Sequence, residues 1–445
     1  MANPIRLKDG VFADLPALAQ SEPAYCIDTD QVFIGDGVAN HEFVMHDFLT
    51  PELPSTEVDD WSTTDLAEYI SRLVDKNKNV GEKVCVGTLV HGVTADNNAY
   101  TGGVYDPTNQ RIWLVPGGQA DPGNSDWHYI DCYTGTVVAY AHGVTTVDNA
   151  YIGGVYSPLQ NRIYFIPRYQ GPQTNWHYID CALGTVVAYA HGATVSANGY
   201  FGGAYSPTQN RIYMAPYGQG NPANDDWHYI DCDDGTVHAY AHGVTTVASA
   251  YIGATYSPTQ NRIYFIPRYQ SAQDDWHYID CDDGTVHAYT HGATVGSTAY
   301  SGGEYSPTQN RIYLIPYSQA DDTLWHYIDC ADGTVVSFEP GGTIVGTYQA
   351  GQYCPTENRI YLAPRSQYSQ AIWHYIDCND GTLVAYAKDV TVAGDYYGAA
   401  YDPIRNRIYF SPYGQADEAG WHFIQSLTQA EISPSLAANT LWNKF

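Results

Sequence analysis

The chain has 445 residues, a formal net charge of −29 and a pI near 4.6. With 19 Lys and Arg against 48 Asp and Glu, it lacks the clustered basic surface that nucleic acids and anionic membranes require. No apolar run reaches the roughly 18 residues of a membrane-spanning helix. Hydrophobic residues make up 44% and charged residues 15%, which suits a folded core rather than a disordered chain. The 41 Tyr and 41 Gly favour strands and tight turns.

The opening Met1-Ala2-Asn3-Pro4-Ile5-Arg6 has no apolar signal core, so no secretory leader is expected. Residues 1–60 read as a separate small module. Ala24–Ile27 and Gln31–Ile34 predict a hairpin around Asp28-Thr29-Asp30, followed by Gly35-Asp36-Gly37. Residues 61–82 predict a helical linker. From Thr63 or Thr64 to Asn77, Leu66, Ile70 and Leu73 or Val74 recur at helical spacing. Two short strands give the first module a thin core, so a partner or self-association through it is expected.

From residue 83 the chain repeats. One anchor, Tyr-x-Pro, recurs at Tyr105, Tyr156, Tyr205, Tyr256, Tyr305, Tyr353 and Tyr401. A second, Trp-His-Tyr/Phe-Ile, begins at Trp127, Trp176, Trp227, Trp276, Trp325, Trp373 and Trp421. Two anchors in register at a period of about 50 residues mark a repeat architecture. The first spacings alternate long and short, which points to duplication of a two-blade unit. In the second block, Ala150–Tyr156 reads as strand A and Ser157–Asn161 as a turn. Arg162–Pro167 is strand B, Trp176–Cys181 strand C, and Thr185–His191 strand D beyond a tight turn at Leu183-Gly184. This pattern predicts an all-β chain, a seven-bladed β-propeller of four-stranded blades, with strand A at the axis. The seventh block ends at Trp421-His422-Phe423-Ile424 without a strand D, and an orphan strand D, Val84–Gly92, precedes the first block. The N-terminal strand is therefore expected to close blade seven against residues 420–425, hiding two sheet edges. The propeller is expected over 83–425, with 426–445 as a tail.

Most chemistry-bearing residues recur as blade parts. Arg111, Arg162, Arg211, Arg262, Arg311, Arg359 and Arg407 open strand B, and an Asp ends strand C. In an antiparallel pair these ends meet, so Arg162–Asp180, Arg211–Asp231 and Arg262–Asp280 are expected as structural ion pairs. Gln425 fills the Asp slot of blade seven, so Arg407 needs another acceptor. His128 and its equivalents share one slot; His91, His142, His191, His242 and His291 share another, later filled by Pro340 and Lys388. One His per blade diverges around a ring, whereas a metal needs convergent ligands; interblade packing with one bonded ring nitrogen is expected and no metal. Six of nine Cys also share one slot, too far apart to bridge, which suggests synthesis in a reducing compartment. Asp-Asp-Gly at 233–235 and 282–284 reads as a turn, not a calcium loop. Glu304 is the one acidic residue in its strand A slot. A lone carboxylate lacks the partner that glycoside hydrolysis needs. No nucleophile elbow or phosphate loop occurs, so neither enzyme activity nor a cofactor is expected.

The B–C loops vary most. They share Pro-x-x-Gln, with Gln119, Gln170, Gln219, Gln270, Gln319, Gln367 and Gln415, and the shared Gln is the kind of residue that caps loop backbone. Between Pro and Gln, blades two, four and six carry Arg168, Arg268 and Arg365, with Tyr169 and Tyr269 next to the first two. Blades three, five and seven carry Tyr217, Tyr317 and Tyr413. Together with the D–A loops this rim suits glycan or protein contact.

The run Leu15-Pro16-Ala17-Leu18, Glu22, Asp28-Thr29-Asp30 and Val32-Phe33-Ile34-Gly35-Asp36-Gly37 resembles the N-terminal segment of bacteriophage tail fibres and related virion proteins. The resemblance covers residues 11–37 and departs at Ser21, where Gly is usual. The blades separately resemble Asp-Pro-x-x-Asn-x-Ile-Tyr propeller repeats, as in Asp402-Pro403-Ile404-Arg405-Asn406-Arg407-Ile408-Tyr409. The N-terminal resemblance implies a virion structural protein, made in the host cytoplasm, with Asp28, Asp30, Phe33 and Asp36 as candidate docking residues. Its partners would be other virion proteins and a host surface glycan or receptor. The alternatives are a cellular propeller lectin or scaffold and, less favoured, a carbohydrate-active enzyme.

Overall fold

The computed structural model describes residues 8–10, 23–26, 31–35 and 40–43, and residues 84–426 apart from 223, 319–323, 341–346, 366–368, 389 and 415. Cys85–Ser426 forms one compact unit. It contains seven four-stranded sheets, each in simple A-B-C-D order. In blade two the strands are Tyr151–Ser157, Arg162–Pro167, Asn175–Asp180 and Thr185–Ala190. All pair antiparallel, with Ser157 opposite Arg162, Arg162 opposite Asp180, and Asp180 opposite Thr185. The A–B turn closes on Asn161 at φ 53°, a left-handed conformation that Asn tolerates better than most residues. Asn161 Oδ1 then accepts the Tyr156 hydroxyl at 3.0 Å and the Thr108 hydroxyl of the preceding blade at 2.8 Å.

Closure of the ring is a strand exchange between the two ends of the unit. Cys85–Val90 pairs antiparallel with Gly420–Gln425, from Gly420 opposite Val90 to Gln425 opposite Cys85. It completes the blade whose other strands are Tyr396–Asp402 and Arg407–Pro412. Ser426 belongs to this blade rather than to a tail: its N–H donates to Asn406 O at 3.0 Å and its carbonyl accepts from Asn406 Nδ2 at 2.9 Å.

The core lies between blades. Trp113 and Trp127 of blade one cluster with Tyr151, Ile163, Phe165 and Ile179 of blade two. The Trp127 ring meets Phe165 edge-on at 5.8 Å. Its equivalents Trp176, Trp227, Trp276 and Trp373 are fully buried. Removing such a Trp costs about 3–5 kcal/mol. At the axis, strand A kinks between Tyr151 and Gly154. A Cβ on Gly153, at φ +77°, would meet the Cα of Gly202 at 3.4 Å.

The N-terminal module contains a four-stranded sheet of its own, Lys8–Gly10, Pro23–Cys26, Gln31–Gly35 and Asn40–Phe43. The expected hairpin is present, with Cys26 opposite Gln31. The strand Lys8–Gly10, parallel to Pro23–Cys26, and the strand Asn40–Phe43 extend it beyond the sequence expectation. The helix expected between Thr63 and Asn77 lies outside the described residues.

Candidate binding site at the channel mouth

The recurrent residues are consumed by the blades themselves. Each strand B arginine lies over the strand C aromatic ring. Arg162 Cζ is 4.4 Å from the Tyr178 centroid, Arg211 4.3 Å from Tyr229, Arg262 4.3 Å from Tyr278, and Arg407 4.2 Å from Phe423. The expected ion pairs are correspondingly long. Arg211–Asp231 measures 3.8 Å and Arg262–Asp280 4.0 Å, while Arg162 faces Asp180 in register and makes its side-chain hydrogen bond to Tyr164. The aspartates turn instead to their own hairpins: Asp180 Oδ1 accepts the N–H groups of Ala182 and Leu183 at 3.0 and 3.1 Å. A guanidinium stacked on a ring keeps its charge without stripping a carboxylate of donors. In blade seven Gln425 itself serves as the acceptor, taking Arg407 Nε at 2.5 Å.

Both histidine slots are structural. Tyr100, Tyr151, Tyr200, Tyr251, Tyr300, Tyr348 and Tyr396 each bond Nδ1 of the strand C histidine in the same blade. Burial holds His128, His177, His228, His277, His374 and His422 down at about 4 and raises the buried phenols. Neutral imidazole therefore accepts and phenol donates. The second set stacks on tryptophan: His142 on Trp127 at 4.3 Å and His191 on Trp176 at 4.1 Å. Lys388 takes the same place over Trp373 at 5.1 Å. Burial pushes the Cys232, Cys281, Cys330 and Cys378 thiols up to about 11, which leaves them poor nucleophiles. Asp234 and Asp283 bond the Thr two residues on within tight turns.

Glu304 sits at a blade interface. Its Oε1 accepts the Tyr353 N–H of the next strand A at 2.9 Å, and burial pushes its carboxyl up to about 7. The shared loop glutamines also tie backbone: Gln170 Nε2 donates to Asn175 O at 2.8 Å, and Oε1 accepts Val147 N–H at 3.2 Å. Gln319, Gln367 and Gln415 lie outside the described residues.

What remains converges on the axis. The second residue of each strand A, among them Ile152, Phe201, Gln349 and Tyr397, lines a cavity of about 210 Å³ floored by the strand A glycines. Above it stand the variable B–C residues. Arg168 lies 5.5 Å from the Phe201 ring, and Tyr217 packs on the same ring at 4.9 Å. Arg268 and Arg365 both lie over Tyr317, at 4.7 and 5.4 Å. Arg365 also lies 5.5 Å from Tyr397, which packs on Tyr413 at 4.9 Å. Burial pushes the Tyr397 phenol up to about 12 against the opposing pull of Arg365, Arg168 and Arg268. Thus six of the eight predicted rim residues gather at one mouth. Tyr169 and Tyr269 point outward, 40% and 43% exposed, although Arg168 still lies 5.0 Å from the Tyr169 ring. Phe201, Gln349 and Tyr397 escaped the sequence reading. Their signal was the unusual variety of the second strand A position. Of the proposed docking residues, Phe33 sits in Gln31–Gly35 opposite Ala24 and Glu42; Asp28, Asp30 and Asp36 lie outside the described residues.

No family model and no curated protein matches the chain. Solved structures do. One titled "Structure of U3-55K" superposes with a TM-score of 0.50 at 7% identity, over 77% of this chain and 98% of the other. A second, "Crystal structure of RRP9 WD40 repeats", gives 0.51 at 7% identity, over 77% and 97%. The likeness is one of fold. The chain carries an all-β seven-bladed propeller of the architecture seen in WD40 proteins.

Proposed function

We propose that the protein is a non-catalytic binding scaffold whose B–C and D–A loop face engages a partner. The observation that carries this reading is the polarity of the propeller. Strands Cys85–Val90 and Gly420–Gln425 are antiparallel partners, so both ends of the unit leave from the face of the A–B and C–D turns. The varied Arg and Tyr residues occupy the opposite face. A body whose ends leave one face and whose residues vary on the other is suited to presentation, and the likeness in fold to WD40 structures is consistent with a protein-binding role. Cross-linking of the full chain to its captured partner, followed by mass spectrometry, tests the reading. Contacts are expected on residues of the B–C and D–A loops. Contacts confined to the A–B and C–D turns, such as Leu159 or Leu183, would overturn it.

A second reading rests on the Asp-Thr-Asp and Gly-Asp-Gly pattern of residues 28–37, which favours a virion as the anchoring structure. In that case residues 1–60 dock to the particle and the same loop face meets the host surface or another virion protein. Mass spectrometry of purified virions decides it: the chain is expected among the particle proteins, and its absence from them removes this reading while leaving the scaffold intact.

A further inference from the structure

Between residues 85 and 426 the sequence contains 11 Arg and one Lys. Seven of the arginines are stacked on strand C rings. Arg405 spans blades seven and one, donating to Cys132 O at 3.0 Å and Tyr133 O at 2.7 Å, and Lys388 lies over Trp373. The three cations left over are Arg168, Arg268 and Arg365, and all three stand at the channel mouth, on alternate blades. Unlike the other cations they do not stack on strand C; their side-chain contacts lie around the axis.

Their local partners leave positive charge in place. Arg168 Nε donates to the neutral Asn198 Oδ1 at 2.9 Å. Arg365 donates to Gln349 Oε1 at 2.5 Å and faces Asp395 at 3.9 Å. Arg268 has no carboxylate partner among the described residues, and its Nη1 is buried without a hydrogen bond. Among the described residues, three guanidiniums against one carboxylate partner leave an excess of positive charge in a protein of net charge −29. A concave, partly dry site focuses such charge on a ligand. A guanidinium without a carboxylate partner is a ready receiver for an oxyanion.

Shape and surroundings narrow the ligand further. The cavity beneath the arginines, about 210 Å³, is smaller than the roughly 300–1,000 Å³ typical of pockets for drug-sized molecules. Its surroundings are aromatic: Phe201 and Tyr397 line it, Tyr217 and Tyr413 pack on those two rings, and Tyr317 lies under Arg268 and Arg365. Aromatic faces suit a small ring with an apolar side, and hydroxyls suit its polar edge.

We propose that the channel mouth is a binding site for an acidic sugar, with Arg168, Arg268 and Arg365 receiving its oxyanion and the surrounding aromatic residues receiving its ring. The oxyanion is a carboxylate or a phosphate, and the site binds without bond breakage. This deepens the loop-face reading by naming a ligand class for the centre of that face.

Isothermal titration of the full chain with glucuronate, glucose 6-phosphate, glucose and inorganic phosphate tests it, and comparing the first two tells carboxylate from phosphate. At least one acidic sugar is expected to bind, glucose much more weakly, and phosphate alone more weakly than the sugar phosphate. Arg268→Gln should weaken the acidic sugar by about 10-fold or more, the usual effect of losing a charge-assisted hydrogen bond. Arg268→Lys, which keeps the charge and loses the fork, should fall between. Raising the salt concentration should weaken binding by wild type, a readout independent of whether any variant folds. Glucose binding as tightly as glucuronate and glucose 6-phosphate, no binding by any probe, or affinity unchanged in folded Arg268→Gln each overturns the proposal. The two readings fail separately. Partner cross-links on the loop face without acidic-sugar binding sink only the ligand assignment, whereas cross-links elsewhere sink the loop-face reading even if the sugar binds.

Discussion

At the scale of single residues, the propeller uses titratable groups as neutral building material, and this gives its stability a pH dependence with two opposed parts. Six strand C histidines are held at about 4 by burial, below the 6.5 of the unfolded chain. The unfolded state binds more protons than the native state between those values. The stability these groups contribute is therefore present above pH 6.5 and lost as pH falls towards 4. Glu304 works the other way. Its carboxyl, pushed up to about 7 by burial, holds a proton more tightly in the native state. Its contribution is full below about 4.5 and lost as pH rises through 7. With six groups against one, the melting temperature is expected to drop between pH 7 and pH 5, as calorimetry at the two values would show. Glu304→Gln keeps an acceptor for the Tyr353 N–H and removes the charge. It should stabilise the protein by about 3 kcal/mol at pH 8 and by almost nothing at pH 4, measured by urea unfolding. Equal gains at both values would mean that the carboxylate is not the cause. Tyr251→Phe strips the buried His277 of its donor and should cost about 1–3 kcal/mol.

At the scale of strands and turns, the four strands of each block were legible because both anchors carry strand periodicity between turn residues. The closing partnership was legible because the seventh block lacks the strand that precedes the first. Other features were hidden for physical reasons. The stacking of Arg162 on Tyr178 could not be told from an ion pair with Asp180, since the same register brings all three together; the choice depends on the hairpin amides that claim the aspartate. The small strands Lys8–Gly10 and Asn40–Phe43 are too short for alternation to show. The channel mouth was half legible. Its Arg and Tyr residues stood out as variation within the repeat, but Phe201, Gln349 and Tyr397 join them only when the ring closes. The glycines behind that mouth carry a sharp expectation. Gly153 has both a positive φ and a neighbouring backbone at van der Waals distance from any Cβ. Gly153→Ala should therefore cost about 1–2 kcal/mol from the left-handed conformation alone. Gly296, which has open space around it and no positive φ, should accept Ala with little effect. Chemical unfolding of the pair would separate backbone strain from mere loss of glycine.

At the scale of the whole molecule, the ring stands or falls on six residues that are distant in sequence from the strand they pair with. Each interblade core is shared, as Trp127 with Phe165, and blade seven shares its own with blade one through Trp421, Phe423 and Tyr100. Cys85–Val90 covers the outer edge of Gly420–Gln425 and lays Leu89 against that cluster. Its removal would bare a paired-strand edge over a flat row of backbone donors and acceptors, the arrangement that templates edge-to-edge association. Two truncations separate this role from that of the preceding residues. A chain beginning at residue 81 retains the closing strand and all of the compact unit Cys85–Ser426, and should elute as a discrete folded species by size-exclusion chromatography. A chain beginning at His91 lacks residues 81–90 in addition, among them the whole closing strand Cys85–Val90, and should associate or precipitate. Adding the Cys85–Val90 segment in trans as a peptide should then restore the discrete species, because the edge it covers has one defined register, from Gly420 opposite Val90 to Gln425 opposite Cys85. A peptide with the same composition in scrambled order would not place Leu89 opposite Trp421, and should fail to rescue. If both truncations behave alike, the ring is held by its interblade cores and the strand exchange is dispensable. If only the shorter chain fails and the native peptide rescues it, the closure sets the assembly state of the propeller.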